Sequence, residues 1–131
     1  GGTIKFDLKA VTPRLYTALT GISNTPVLNN FRRLSETGSG GNSEFLVASI
    51  LLVPGYIGVG EVARLSSFIS ECNPAIPTAL LGFHPHHAMS DLPRTSRSHA
   101  NAARKAAEEA GLTNVRIGNI HLLSNTDYSF D

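Results

Sequence analysis

A nearly continuous apolar run over residues 44–53 constrains the fold more than any other segment of the chain. Glu44 and Ser49 are its only polar residues, and Pro54-Gly55 follows it directly. A strand that is apolar at both odd and even positions is buried on both faces, as in parallel sheets covered by helices. The run therefore predicts a central strand of a parallel α/β sheet.

Three further segments are predicted to be strands. Residues 3–9 alternate apolar and polar side chains, with Ile4, Phe6 and Leu8 on one face. Residues 78–83 form a short apolar run, and residues 114–123 are interpreted as the last strand.

Predicted helices separate these strands. Thr12-Pro13 and Thr25-Pro26 each combine an N-cap residue with proline at the first helical position. They predict one helix over 13–20 and a second that stops before Gly38. Apolar residues at helical spacing predict two more, over 59–72 and 96–110. The order β-α-α-β-α-β-α-β predicts an α/β fold of parallel β/α units, either a small open sheet or an arc of a barrel.

Composition narrows the class of protein. The 131 residues carry a net charge of +1 and include one cysteine. This length predicts a single domain, and near-neutral charge argues against a dedicated nucleic-acid or membrane-surface protein. We expect neither a membrane span nor a signal sequence. Because Cys72 has no disulfide partner within the chain, we expect a cytoplasmic protein.

Functional side chains in such folds lie at the carboxyl ends of the parallel strands. Asp7 and Lys9 share one side of the first strand, where they could hold a cation beside a carboxylate ligand. A solvated alternating face has the same pattern. The turn at residues 53–56 could present backbone groups to a ligand, or it could simply end the strand.

His84 and His86 suggest an alternative function, a metal-dependent hydrolase. Their His-X-His spacing on an extended segment points both rings the same way, as in metal sites at strand ends. Asp91, His99 and His121 are candidates for the further ligands. Freely titrating histidines in a solvent-facing loop would explain the same pattern.

A third possibility is a non-catalytic interaction module. The cationic segment from Arg94 to Lys105 begins a predicted helix and could bind an anion or a protein partner. The ordinary role of Thr95 or Ser96 is a helix cap. No aromatic residues are interleaved with the cations, which speaks against nucleic acid. Residues 124–131 are interpreted as an irregular tail.

Five short motifs, taken in their order along the chain, resemble one known family. They are residues 7–9, 51–56, 83–85, 90–93 and 114–119 (Asp-Leu-Lys, Leu-Leu-Val-Pro-Gly-Tyr, Phe-His-Pro, Ser-Asp-Leu-Pro and Asn-Val-Arg-Ile-Gly-Asn). Together they resemble the C-terminal half of the radical S-adenosylmethionine proteins related to pyruvate formate-lyase activating enzyme. The resemblance implies that residues 1–123 form half of a TIM-like (β/α)6 partial barrel. It also implies reductive cleavage of S-adenosylmethionine at an iron–sulfur [4Fe-4S] cluster, giving a 5′-deoxyadenosyl radical that abstracts hydrogen.

The resemblance further implies cofactor-binding roles at five positions. Asp7 would help hold a monovalent cation beside the methionine carboxylate, with Lys9 near the same ligand. Ser49 and Leu51 lie on the strand whose end lines the cofactor, although well-known members carry arginine at the position of Ser49. His84 matches a histidine near the adenosine part of the cofactor.

The family's cluster motif, Cys-X3-Cys-X2-Cys, does not occur in the 131 residues. Cys72 alone cannot hold a cluster. We therefore expect a chain that is inactive by itself. It would be an isolated part of a longer protein entered in the middle of the barrel, a split or truncated gene product, or a degenerate domain with another task. Expected partners are a cysteine-bearing N-terminal half or a protein substrate of the glycyl-radical-enzyme type. An unpaired edge on the first strand predicts self-association, through that edge or through the exposed interior of the barrel.

Overall fold

The computed structural model describes residues 4–8, 25–37, 46–85 and 92–130. Within these ranges the strands are β1 (Ile4–Asp7), β2 (Leu46–Leu52), β3 (Thr78–Gly82) and β4 (Val115–Gly118), and the helices are α1 (Thr25–Thr37), α2 (Val59–Cys72) and α3 (Arg97–Glu109). The helix predicted over 13–20 lies outside the described residues. None of the helices in the described part of the chain is long and apolar enough to cross a membrane.

The four strands form one parallel sheet in the order β1-β2-β3-β4. Each strand therefore pairs with the next strand along the chain, across a connection that contains a helix. This arrangement confirms the predicted α/β fold of parallel β/α units, and it is consistent with part of a β/α barrel.

The two faces of the sheet differ in burial. Along β2, one set of alternate residues is fully buried, namely Leu46, Ala48, Ile50 and Leu52, and the set between them, Val47, Ser49 and Leu51, is half-buried. We call the first the covered face and the second the inner face. The prediction that both faces are buried therefore holds fully for the covered face and partly for the inner face.

All three helices contribute to the core on the covered face. Phe31 of α1, Val62 and Leu65 of α2, and Ala100 and Ala103 of α3 are fully buried in one cluster with the β2 side chains. Burying a leucine or isoleucine side chain contributes roughly 1.5–3 kcal/mol, so the buried leucine and isoleucine side chains of this face stabilise the fold.

Local signals fix the helix ends as predicted. The Ser96 side chain caps α3, accepting a hydrogen bond from the His99 N–H at 3.0 Å. Asn73 follows the last residue of α2. Gly111 follows the C-cap of α3 at Ala110, and the positive φ of Gly111, 112°, ends the helix.

The prediction of one strand over residues 114–123 is wrong in its second half. β4 ends at Gly118, Asn119 adopts the left-handed region with a φ of 56°, and Ile120–Leu122 form a 3₁₀ helix. The chain turns there because it folds back over the end of β3. A Cβ atom at Gly82 would lie 3.2 Å from the Asn119 carbonyl oxygen, so the small residue permits this close approach.

Candidate functional site

The carboxyl ends of β2 and β3 are tied together by one threonine. The Thr95 hydroxyl donates to the Leu52 carbonyl at 2.7 Å and accepts from the Phe83 N–H at 2.7 Å. The Thr95 N–H also donates to the Phe83 carbonyl at 3.2 Å. Thr95 is fully buried, so its side chain fixes the strand ends where neighbouring parallel strands would otherwise diverge.

The turn after β2 carries the chain towards α2. The Tyr56 N–H donates to the Val53 carbonyl at 3.1 Å, and Gly55 has a φ of 84°. Proline at the second position and glycine with positive φ at the third are the signature of a type II turn. A second bond, from the Ile57 N–H to the Val53 carbonyl at 2.8 Å, fixes Ile57 beside the start of α3.

His99 lies at this point and uses both ring nitrogens. Nε2 is 2.8 Å from the Ile57 carbonyl oxygen, and Nδ1 is 2.7 Å from the Tyr128 hydroxyl. Because a carbonyl can only accept, Nε2 carries the proton and Nδ1 accepts from Tyr128. The Tyr128 oxygen in turn accepts from the Ser96 N–H at 2.9 Å. The four groups therefore form one continuous hydrogen-bonded chain.

Aromatic rings complete the surroundings of His99. The Phe130 ring stacks on the imidazole at 5.0 Å between centroids and 4° between planes, and the Tyr128 ring meets it edge-on at 5.6 Å. Burial lowers the pKa of His99 from 6.5, although the hydrogen bond to Ile57 opposes that shift. Burial likewise raises the pKa of Tyr128. Both groups are therefore neutral near pH 7, and the cluster is suited to holding structure rather than to moving protons.

Residues 124–130 provide two of these rings and also pack against the helix starts. The Arg97 N–H donates to the Ser124 carbonyl at 2.9 Å, and the Val59 N–H at the start of α2 donates to the Phe130 carbonyl at 3.1 Å. The segment contains no helix or strand beyond the single bridge of Ser124 to Ser96. Its carbonyl groups accept hydrogen bonds from N–H groups at the helix N-termini, which have no acceptor within their own helices.

The structure brings together three of the five positions expected to bind a cofactor. Asp7 pairs with Ser49 in the register of β1 and β2, and the Leu8 N–H donates to the Ser49 carbonyl at 2.9 Å. Leu51 is two residues further along β2 on the same inner face. His84 is exposed just beyond β3. Lys9 lies outside the described residues.

The histidines do not form a metal centre within the described part of the chain. His86 and Asp91 lie outside the described residues. His99 is wrong as a candidate ligand, because both of its nitrogens are engaged with Ile57 and Tyr128. His121 is exposed on the 3₁₀ helix. Among the described residues, no group of three or more His, Cys, Asp or Glu could hold a metal ion.

Two parts of this arrangement were missed by the sequence reasoning. Thr95 was interpreted only as a possible helix cap, whereas it joins two strands. Tyr128 and Phe130 were placed in a polar tail. Their spacing of two residues, which puts both rings on one side of an extended segment, was the signal that could have indicated packing.

Comparison with known proteins identifies a shared fold. No protein-family model and no curated protein matches the chain. A similar solved structure is a domain of pyruvate-formate lyase-activating enzyme from Bacteroides vulgatus ATCC 8482, with a TM-score of 0.65 and 19% sequence identity. The match covers 88% of this chain and 66% of that chain, so the present chain spans just under two thirds of the neighbour. At this identity the likeness shows a common fold, that of an activating-enzyme domain.

Proposed function

We propose that the inner face of the sheet is the S-adenosylmethionine-lining surface of a barrel of the radical S-adenosylmethionine type. The observation that carries the proposal is the register that sets Asp7 beside Ser49, with Leu51 next along the same face. The five short motifs and a fold shared with a domain of pyruvate-formate lyase-activating enzyme support it.

The inner face has the character of a site for such a cofactor. Ser49 and Leu51 are half-buried there, and Leu81 of β3 pairs with Leu51 in the register. Apolar side chains with a few polar groups among them are typical of small-molecule sites. Asp7, Lys9 and His84 would supply the charged and polar groups. When bound and cleaved with an electron from a cluster held elsewhere, S-adenosylmethionine would supply the capacity to abstract hydrogen atoms.

The iron–sulfur cluster does not fit the residues of this chain. A [4Fe-4S] cluster is held by several cysteine thiolates, and the 131 residues contain Cys72 alone. Cys72 is half-buried at the end of α2 and packs against the core. The proposal therefore places the cluster cysteines on a partner segment, and it expects the chain alone to perform no reductive cleavage.

A complementation experiment tests the assignment. The chain is joined to a half-barrel that carries a Cys-X3-Cys-X2-Cys motif, the cluster is reconstituted, and S-adenosylmethionine binding is measured by isothermal titration. Leu51→Arg should lower the affinity at least about tenfold, because it places a charge and bulk on the inner face. Ser67→Arg, which adds the same charge at an exposed position of α2, is the control and should bind normally.

Two outcomes would contradict the proposal. If the cluster forms and S-adenosylmethionine does not bind, the fold is shared without the cofactor. If Leu51→Arg binds as tightly as Ser67→Arg, the ligand occupies another surface.

The outer edge of β1 provides a separate prediction about partners. β1 is the first strand of the described sheet and has one strand neighbour, β2. Exposed strand edges template pairing with other chains. We expect the mean mass measured by light scattering to rise with protein concentration. A constant monomer mass at high concentration would rule out this self-association.

A further inference from the structure

A groove of about 380 Å³ lies between α3 and β4 at the far edge of the sheet from β1. Six residues that line it are Arg97, Asn101, Arg104, Arg116, Ile117 and Ile120. Arg116 and Ile117 are consecutive in β4 and therefore point to opposite faces of the strand. Because both line the groove, it follows the outer edge of the strand.

The groove concentrates positive charge. Among the described residues that line it, three are arginines and none is acidic, although the whole chain has 11 basic and 10 acidic residues. Arg97 donates through Nε to the neutral Asn125 amide oxygen at 3.0 Å, so its charge is not neutralised by that contact. Arg104 Nε is 3.8 Å from Glu108 Oε2 on the exposed surface of α3. Such exposed ion pairs contribute at most about 1 kcal/mol to stability, so Glu108 holds Arg104 only weakly.

The same groove carries an unusual apolar side chain. Ile120 is 56% exposed and is the one large hydrophobic residue in the described part of the chain with its side chain largely in solvent. Ile117 beside it is half-buried. Isoleucine next to arginines favours a ligand that has both apolar and anionic groups.

We infer that this groove docks an acidic peptide segment of a partner protein. The forked guanidinium groups suit bidentate pairing with carboxylates, and Ile120 offers a contact for one apolar side chain of the peptide. Within the described part of the chain no aromatic residue lines the groove, so these residues offer no stacking surface of the kind with which proteins bind single-stranded nucleic acid. None of the residues assigned to the cofactor lines the groove, so peptide docking there does not depend on the cofactor assignment.

Fluorescence anisotropy with a synthetic probe tests the inference. The probe is a labelled peptide that alternates glutamate and leucine, and the reference probe has glutamine in place of every glutamate. The full chain should bind the glutamate probe more tightly, and the difference should shrink as salt is added. Arg116→Glu should weaken binding about tenfold, because a matched charge becomes a repulsive one.

One control variant and one further groove variant distinguish binding in the groove from a general effect of charge. Arg33→Glu makes the same change of net charge at an exposed position of α1 and should leave binding within about twofold. Ile120→Ser should weaken binding even at high salt, since that contact is apolar. Circular dichroism should show that all three variants remain folded, as expected for changes at exposed positions.

Each other result would overturn the inference. Equal binding of the glutamate and glutamine probes would remove the role of carboxylates. Equal losses for Arg116→Glu and Arg33→Glu would show that net charge alone attracts the probe. Tighter binding of a single-stranded oligonucleotide than of the glutamate probe would assign the groove to nucleic acid.

Discussion

The contact between α2 and α3 differs at two levels, an upper level at the starts of the helices and a lower level further along them. At the start of the helices, the buried residues Thr95 and His99 and the half-buried Tyr128 have hydrogen-bond partners for their side-chain polar atoms. Further along α2, Ser66 is fully buried and its hydroxyl has no partner among the described residues. Ala103 and Ala107 of α3 are also fully buried.

The polar residues of the upper level determine how the elements are placed, whereas Ser66 of the lower level only occupies space in the core. The upper level specifies distances and directions, because each hydrogen bond joins segments distant in sequence. The lower level needs small side chains, because the elements approach closely. A Cβ atom at Gly111, just after α3, would lie 2.6 Å from the Ser70 hydroxyl oxygen of α2. Substitutions at the two levels should therefore have opposite effects on stability.

The largest effect is expected from His99→Leu. It removes the donor to the Ile57 carbonyl and the acceptor of the Tyr128 hydroxyl proton, and so should lower the free energy of unfolding by about 3 kcal/mol. Urea denaturation measures the change. The control is His84→Leu at an exposed position, which should change stability by less than about 0.5 kcal/mol. Equal stability of the two variants would show that the His99 contacts are not needed.

Thr95→Val should cost about 2 kcal/mol, because the variant keeps the shape of the side chain and loses the hydroxyl that joins β2 to β3. Thr95→Ser keeps the hydroxyl and is expected to lose less. Thermal and urea unfolding should rank the two in this order. A valine variant as stable as the serine variant would contradict a role for the bridge.

Acidification should weaken the same level of the helix pair. The pKa of His99 is lowered in the folded chain, so the unfolded chain binds more protons as the pH falls below the ordinary value of 6.5. Stability is fully present above that pH and is lost as the pH falls towards the folded-state pKa. Unfolding free energies measured across this range should fall more steeply for the wild type than for His99→Leu. Parallel slopes would assign the pH dependence to other groups.

Ser66→Ala provides the smallest effect and the opposite sign. Removing a buried hydroxyl that has no partner should leave stability unchanged or raise it by up to about 1 kcal/mol. Ser67→Ala, at the neighbouring exposed position, is the control and should change little. A clear loss of stability in Ser66→Ala would mean that its hydroxyl has a partner after all.

The fold followed from signals that act over short distances in the chain. The apolar run before Pro54 and the helical spacing over 59–72 predicted β2 and the end of α2 to within two residues. The prediction extended β4 too far, because Ile120 and Leu122 continue the apolar pattern. The turn at Asn119 depends instead on packing over Gly82, a contact between residues far apart in sequence.

The candidate sites were less accessible to sequence reasoning. Asp7 and Ser49 were assigned separately from family motifs, and only the strand register shows that they are neighbours. The arginines of α3 were noted as a basic segment, but Arg116 joins them only through the position of β4 beside α3. Residue spacing along one element can be deduced from the sequence, whereas proximity between elements requires the fold.

The sequential strand order bears on how the molecule folds. Because each strand pairs with the strand that follows it along the chain, every pairing closes one loop through a single crossover. The entropy cost of closing a loop grows only with the logarithm of its length, so no step carries an exceptional cost. The sheet can therefore assemble one crossover at a time, each formed strand serving as the template for the next.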